Sequence, residues 1–488
     1  MKYLLGVDFG GSSSKATLLG EDGKVYATAG EEYPTYYPEN GWAEQDPDDS
    51  YRAMVNNIRE ILRTSGIRPQ DVAALALDAA THTTVLLDDR DRPVRRAIYW
   101  TDTRSSAQAK WLKEEMGNEI IAECYNSVSS LWTLPQLMWL KENEPDTLKK
   151  TRRVLALKDY IRYRLTGDYV TDSIEAMGNL LLDARVNQWS ERFCALCGID
   201  PALMPEIVDP SQILSPMTEQ ALQDTGLTRE TVVIAGATDT VMEVYAAGAI
   251  RPGQATVKLA TAGRICPITD HPVVDPRLVT YRHVVKGLWY PGTATKSCAS
   301  ANRWYRDTFG GTFGEMSALA ATVSRGCEGL FFHPYLQGEI TPYLNDKLRA
   351  SFTGAAGFHT RAHFNRAVLE GVACSMKDCF ATLTELGIAP TEAVAIGGGA
   401  KSDLWRQILA DMLNIPLTTV ENVDSSLGSA MLAGVATGIF ANHQEAVDRC
   451  VRVVGVTQPD PEGVAFYETY FTAYKRIQQA LEPIYNTL

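Results

Sequence analysis

The chain opens with short apolar blocks separated by turn-forming residues. Tyr3 to Asp8 is an apolar run, Ser14 to Leu19 follows after a Gly/Ser turn, and Lys24 to Ala29 reads as a third strand after Glu21-Asp22-Gly23. The period then lengthens. Ser50 to Ser65 places Tyr51, Met54, Ile58 and Leu62 on one helical face. Val72 to Leu77 and Thr84 to Leu87 return to strand, which predicts a mixed α/β unit.

The same grammar restarts in the second half. Val232 to Ile234 is a strand, and Ala237-Thr238-Asp239 leads into an apolar helix over Val241 to Ala247. Arg251-Pro252-Gly253 reads as a linker. Ala255 to Leu259, the turn Ala260-Thr261-Ala262-Gly263, and Arg264 to Ile268 then repeat the opening hairpin. A long helix follows over His363 to Leu386, and a strand over Ala393 to Ile396 runs into Gly397-Gly398-Gly399-Ala400. One half resembles the other, which predicts two duplicated domains, 1–248 and 249–488, around a cleft.

A length of 488 residues is too great for one typical domain and suits two. With 45% hydrophobic and 22% charged residues the composition is that of an ordinary globular protein. A formal net charge of −13 argues against a nucleic-acid partner, which calls for clustered Lys and Arg. The five-residue apolar run after Lys2 is too short for a signal peptide, and no run approaches the roughly 20 residues of a membrane span. A cytoplasmic enzyme without a membrane partner is expected. Nine scattered cysteines suit reduced thiols, and Cys194-x-x-Cys197 has no second pair at zinc spacing.

Candidate chemistry lies at the turns. Asp8-Phe9-Gly10-Gly11-Ser12-Ser13-Ser14-Lys15 sets a carboxylate at a strand end before a turn without bulky side chains. Its glycines admit a phosphate, its N–H and Ser hydroxyl groups can donate to one, and Asp8 can hold a hydrated Mg²⁺. An ordinary hairpin turn reads equally well. No P-loop lysine pattern is present. The turn 260–263 could grip phosphates from the opposite side, and Gly397 to Ala400, before a helix starting near Ser402 or Asp403, permits close approach of a nucleotide. Asp239 reads either as a helix N-cap or as a general base for a hydroxyl attacking a γ-phosphoryl group. His82 could donate to a substrate hydroxyl or be structural. His359 and His363 share a helical spacing without an acid between them and read as non-metal.

Taken together, these residues resemble the FGGY carbohydrate kinase family over nearly the whole chain. The stretches carrying the resemblance are Pro334 to Pro342, His363 to Gly371, and Gly397 to Trp405 with Arg406, Gln407, Ala410 and Asp411. Within the family the similarity is strongest to xylulokinases, through Trp42-Ala43-Glu44-Gln45-Asp46-Pro47, His82, Ala97 to Arg104, Leu157-Lys158-Asp159-Tyr160 and Leu165-Thr166-Gly167. The resemblance implies two actin-like, ribonuclease H-like α/β domains that close on a small sugar, D-xylulose first. It implies Asp239 as catalytic base, with Thr81, His82, Asp102, Trp132 and Thr240 at the sugar. ATP falls to Gly10, Gly11, Ser12, Ser13 and Lys15, to Thr261 and Gly263, and to Gly398, Gly399, Ala400 and Asp403. Mg²⁺ falls to Asp8 and Asp239. A homodimer is left open.

The chain departs from the family pattern at several of these places. Gly11 and Ala260 stand for a usual Thr and Gly, Thr81 and Thr83 for Met and Gly around His82, and Thr101 for Asn. Gln136 replaces Lys, Thr240 replaces Asn, and Ile340 replaces Arg. Several of these lie beside the expected sugar, so L-xylulose, ribulose, glycerol and gluconate remain alternatives. From other classes, an actin-like ATPase or a catalytically silent sugar sensor remains.

Overall fold

The computed structural model describes all 488 residues. The first half is built on strands β1 (Tyr3–Phe9), β2 (Ser13–Gly20) and β3 (Val25–Glu32), helix α1 (Pro47–Ser65), β4 (Val72–Ala79), β5 (Val232–Val233), β6 (Ala237–Thr238) and helix α2 (Asp239–Ala246). The sheet runs β5-β4-β1-β2-β3, with β6 also paired to β4. β1, β2 and β3 form an antiparallel meander, while β4 lies parallel to β1, and β5 and β6 parallel to β4. Helix α1 starts earlier than its apolar period because Asp46 caps it by accepting from Asp48 N, with Pro47 at the first helical position. It ends at Gly66, whose φ of 67° suits glycine.

The second half repeats this plan, as the restarted pattern predicts. Strands β7 (Gln254–Leu259), β8 (Gly263–Pro267), β9 (Val279–Arg282) and β10 (Trp289–Thr295) precede helix α3 (Arg361–Glu385). Then follow β11 (Glu392–Ile396), helix α4 (Asp403–Leu413), β12 (Leu417–Val420), helix α5 (Ser425–Ala436) and β13 (Val453–Thr457). The sheet order is β9-β10-β8-β7-β11-β12-β13: again an antiparallel meander joined to parallel strands β11 and β12, with β13 closing the edge antiparallel to β12. Thr84–Leu87, expected as a strand, is one, but it belongs to a separate four-stranded sheet with residues 44–45, 97–98 and 153–156. No helix is long and apolar enough to cross a membrane.

The cores follow the two-residue period of the strands. Leu5, Val7 and Phe9 face α1, with Tyr51, Met54, Ile58 and Ile61. Leu4, Ala74 and Ala76 face the other way, toward α2 and α5. Helix α5 comes from the second half of the chain, yet it packs on β1, β2, β4 and α2. The approach is close because Gly6 has no side chain: a Cβ there would lie 1.8 Å from the Ser426 carbonyl oxygen. Gly428 on the helix repeats the device, since its Cβ would lie 2.2 Å from the Met242 carbonyl oxygen of α2. Helices α2 and α5 thus form the seam between the halves.

Gly6→Ala is expected to push α5 off the sheet and destabilise the protein by about 3 kcal/mol, the upper part of the range for overpacking a tight core. A clearly lowered thermal unfolding midpoint checks this; an unchanged midpoint would mean that the contact relaxes.

Candidate active site

The seam brings three acids together. Asp8 on β1 and Asp78 on β4 are direct register partners, and Asp239 begins α2 just beyond β6, which pairs with Ala79 of β4. All three carboxyls are held above the ordinary carboxylate range. Burial, then the Asp239 charge, pushes Asp8 up to about 7. Burial and the Asp8 charge push Asp78 well up. Burial raises Asp239, against the opposing pull of Lys258 and Arg264. Asp78 Oδ2 accepts from Ser429 Oγ on α5 at 2.5 Å, while its buried Oδ1 accepts no hydrogen bond from the protein. No three acidic, His or Cys side chains converge tightly enough to hold an ion by themselves. The raised acids and the orphaned oxygen nevertheless fit a hard cation that keeps water and phosphate among its ligands.

Asp239 is not the N-cap. Thr238 occupies that position without a side-chain cap bond, and Asp239 is the first helical residue. Its Oδ1 accepts from Thr240 N at 2.5 Å and from Thr240 Oγ1 at 3.1 Å, which fixes the carboxylate at the mouth of α2. The positive helix end favours its ionised form. Helix α5 directs its own N-terminus the same way: Asp424 and Ser425 act on Asp8, and Lys15 Nζ meets Asp424 Oδ2 at 3.3 Å.

Both expected phosphate turns have their carbonyls tied back and N–H groups left over. Tyr33 Oη donates to Gly10 O at 2.5 Å, Gln45 Nε2 and Thr35 Oγ1 donate to Gly11 O at 2.9 and 3.1 Å, and Tyr33 N donates to Ser12 O at 3.0 Å. Gly11 and Ser12 N–H donate to no protein acceptor. In the second turn, Ala299 N and Cys298 N hold the carbonyls of Ala260 and Thr261, at 2.7 and 3.1 Å, and the N–H groups of residues 260–262 are likewise unspent. Gly263 is required by packing, since a Cβ would lie 2.6 Å from Met376 Sδ. The departure at Gly11 has a steric reason as well: a Cβ there would lie 2.6 Å from Tyr99 Oη.

The glycine run before α4 divides by role. Gly397 has a φ of 87° and lies against Leu259 O, and a Cβ on Gly399 would strike Leu259 and the Trp405 ring at 2.8 and 2.9 Å. Gly398 alone borders open space. Packing therefore explains two of the three glycines. Ala400 is buried, with its carbonyl accepting from Arg406 Nη1 at 2.5 Å. Exposed Asp403 pairs with the other end of Arg406, and Ser402 caps the helix.

Where the sugar was expected, His82 is buried with a φ of 70°, a strained conformation for a side-chain-bearing residue. Its Nδ1 lies 2.6 Å from Gly178 O, so that nitrogen carries the proton. Burial lowers its pKa to about 4, leaving Nε2 an acceptor near neutral pH. Where a donor was expected, the outward nitrogen is thus an acceptor. The Trp132 ring stands edge-on to it at 4.4 Å. Thr81 and Tyr281 Oη close the same corner, each within 3.4 Å of where a Gly178 Cβ would be. Asp102 is differently placed. Fully buried, it accepts from Ala43 N at 2.6 Å, from Arg104 N at 2.8 Å and from the Arg104 guanidinium, which the Trp42 ring covers at 3.8 Å. Those bonds serve the scaffold, and the sugar contact expected of Asp102 is not what they provide. Gln136 is buried, with Nε2 donating to Leu131 O at 3.2 Å.

Asp78, Gly178, Arg264, Lys258 and Tyr281 escape the sequence reading. Asp78 had a signal, since it ends an apolar strand as Asp8 does. Tyr281 and Arg264 had none, because they arrive from the other half.

The chain matches the models of the FGGY family of carbohydrate kinases, the N-terminal domain over residues 3–245 and the C-terminal domain over residues 262–437. It is 32% identical over 482 residues to the xylulose kinase of Bacillus subtilis (strain 168), covering 98% of this chain and 97% of that protein. It is 29% identical to the gluconokinase of Bacillus licheniformis, covering 100% and 97%. Its structure superposes on that of the ligand-bound xylulose kinase from Lactobacillus acidophilus with a TM-score of 0.94, 26% identity and full coverage of both chains.

Two measurements follow from this geometry. Gly11→Ala is expected to weaken ATP binding, seen as a raised KM for ATP of roughly tenfold, an overpacking cost of about 1–2 kcal/mol. Tyr99→Phe in the same chain should restore most of it by removing the clashing hydroxyl. The His82 ring, followed by NMR, should stay neutral down to about pH 4. Its folded pKa is depressed, so its contribution to stability is complete above about pH 6.5 and is lost as pH falls toward 4. A midpoint near 6.5 would refute the buried, Gly178-bound ring.

Proposed function

The chain belongs to the FGGY family of carbohydrate kinases, and from that premise we propose that it transfers the γ-phosphoryl group of ATP to a primary hydroxyl of D-xylulose held at His82 and Asp239. The observation that carries this reading is that the Arg264 charge acts on both Asp239 and His82, with Asp239 also acting on Asp8 at the end of the first turn, while both turns hold unspent N–H groups. The similarity to xylulose kinases supports the ketopentose. Similarity to gluconokinase supports a sugar acid as the second reading.

The residues divide the work. Neutral His82 accepts from one sugar hydroxyl through Nε2 and orients the chain of carbons. Asp239 takes the proton from the attacking hydroxyl as the oxygen–phosphorus bond forms and the bond to ADP breaks. Thr240 holds the carboxylate in line. Phosphoryl transfer demands positioning and charge stabilisation more than strong basicity, so a carboxylate suffices. The turn at Gly10 to Ser13 and the turn at Thr261 to Gly263 bring phosphate-binding N–H groups from the two halves. Gly398 lies where a nucleoside can approach, and Asp8 and Asp239 are the residues to hold Mg²⁺. When bound, Mg²⁺ neutralises phosphate charge. Closure of the halves would exclude water from the transfer.

Asp239→Ala is expected to lower kcat about 10³-fold, within the range for loss of a general base, with an unchanged unfolding midpoint. Coupled ADP release with D-xylulose and Mg²⁺-ATP measures it. Near wild-type turnover by the variant would remove Asp239 from the mechanism.

A further inference from the structure

The second turn, residues 260–263, tips a hairpin whose root is tied to the helix that begins with Asp239. Lys258 and Arg264 are direct register partners across β7 and β8, one residue outside Leu259 and Gly263. Partners of this kind project from one face of a sheet. Both reach α2. Lys258 Nζ meets Glu243 Oε2 at 2.7 Å, and Arg264 Nη1 donates to Thr240 Oγ1 at 3.2 Å, its one hydrogen bond. Thr240 and Glu243 lie three apart and so share a helix face. The charges of Asp239 and Glu243 both oppose that of Arg264. Two prongs of one hairpin thus grip one face of one helix.

The grip sits where the covalent link does not. Helix α2 ends at Ala246 and β7 begins at Gln254, so residues 247–253 join the far ends of the two elements. The turn's own ties, to Cys298, Ala299 and Ser300, stay within the second half. Lys258 and Arg264 supply the hairpin's side-chain bonds to the first half. Thr240 passes the grip on to Asp239. Its hydroxyl accepts from Arg264 and donates to Asp239 Oδ1, and its N–H donates to the same oxygen. Both bonds fall on Oδ1, which leaves Oδ2 to take a proton. The threonine that stands for the family's usual Asn therefore joins acceptor and donor in one atom.

We propose that Lys258 and Arg264 are positioning residues whose clasp on α2 sets the gap between the second phosphate turn and Asp239. The turn holds the phosphates and Asp239 serves the attacking hydroxyl, so the transferred group crosses this gap. Misplacement by about 1 Å costs such a reaction on the order of 100-fold. The inference rests on the kinase reading of this site.

Turnover of D-xylulose is compared in the wild type, Lys258→Met, Glu243→Gln, their double variant and Lys258→Arg, with folding verified by thermal melt. Should Lys258→Met melt early, Arg264→Gln makes the comparison through the other prong. Each single variant is expected to lower kcat roughly tenfold or more, with both KM values within about threefold of wild type. The double variant should be no slower than the slower single one, because one clasp is broken once. Lys258→Arg, which keeps the pair, should recover most of the rate. Wild-type rates, or losses that multiply in the double variant, would overturn the clasp. So would a raised KM for ATP at unchanged kcat, which would make Lys258 a phosphate ligand. A second measurement needs no turnover. Spin labels at Ala262→Cys on the exposed turn and at Glu60→Cys on α1 report the gap, since all nine native cysteines are buried. Their distance distribution should broaden in Lys258→Met and Arg264→Gln and keep its wild-type width in Lys258→Arg. Equal widths throughout would overturn the clasp whatever the rates. Silence of the wild type with D-xylulose and with gluconate would strike the kinase reading, and the label distances would still decide the clasp.

Discussion

Everything at this site depends on how closely α5 lies on β1. The contact is helix backbone against strand backbone, with no Gly6 side chain between them, and Gly428 brings α2 equally near on the far side. That spacing lets Ser429 reach Asp78, lets Ser426 Oγ meet Thr17 Oγ1 at 2.7 Å, and sets the N-terminus of α5 over Asp8. A helix from the second half is thereby part of the first sheet's core. The two halves are also joined away from the acids, where Asn126 exchanges hydrogen bonds with Thr280 and Tyr281 shares a core with Trp132.

The electrostatics at that seam are in tension by construction. Burial raises Asp8, Asp78 and Asp239, with carboxylate repulsion adding to it at Asp8 and Asp78, while two helix N-termini and, at Asp239, the cations Lys258 and Arg264 oppose the rise. The rise prevails, since burial penalises each charge and like charges in a low dielectric repel strongly. Spare N–H groups at the two turns and the unspent guanidinium of Arg264 show the complementary excess. Within the protein, neither set is fully balanced.

The stretches that most strongly mark the family do other work. Glu339 is buried and accepts from Lys296 N and Ile340 N, both at 2.7 Å, and from Ser375 Oγ on α3. Glu370 is buried and gathers Arg366, Tyr467 and the backbone N–H of Gly326. Lys158 and Asp159 of the Leu-Lys-Asp-Tyr stretch form a buried ion network with Arg162 and Asp172 that anchors the segment leading to Gly178. Removing one partner from such a network typically costs about 3–5 kcal/mol. Asp102 belongs with these residues: its motif is a brace in which Trp42, Glu44 and Arg104 position the loop that carries Tyr99.

The sequence by itself determined the local elements, the repeated hairpin and the residues that end strands at turns. A two-residue or 3.6-residue period, a cap and a glycine are properties of adjacent positions. Asp8, Asp239 and both glycine-bearing hairpin turns were legible on that basis, and so was the duplication. The tertiary structure alone decided which residues meet. It moved α5 onto the first sheet and joined Asp78 to Asp8 across a parallel pairing. It brought Tyr281 and Arg264 into the pocket of His82, and it turned His82 from donor to acceptor through one bond to Gly178. It also showed that Gly397 and Gly399 are demanded by packing and that Gly11 makes room for Tyr99. Such facts depend on separations of tens to hundreds of residues, where the chain carries no period to read and only packing sets the distances.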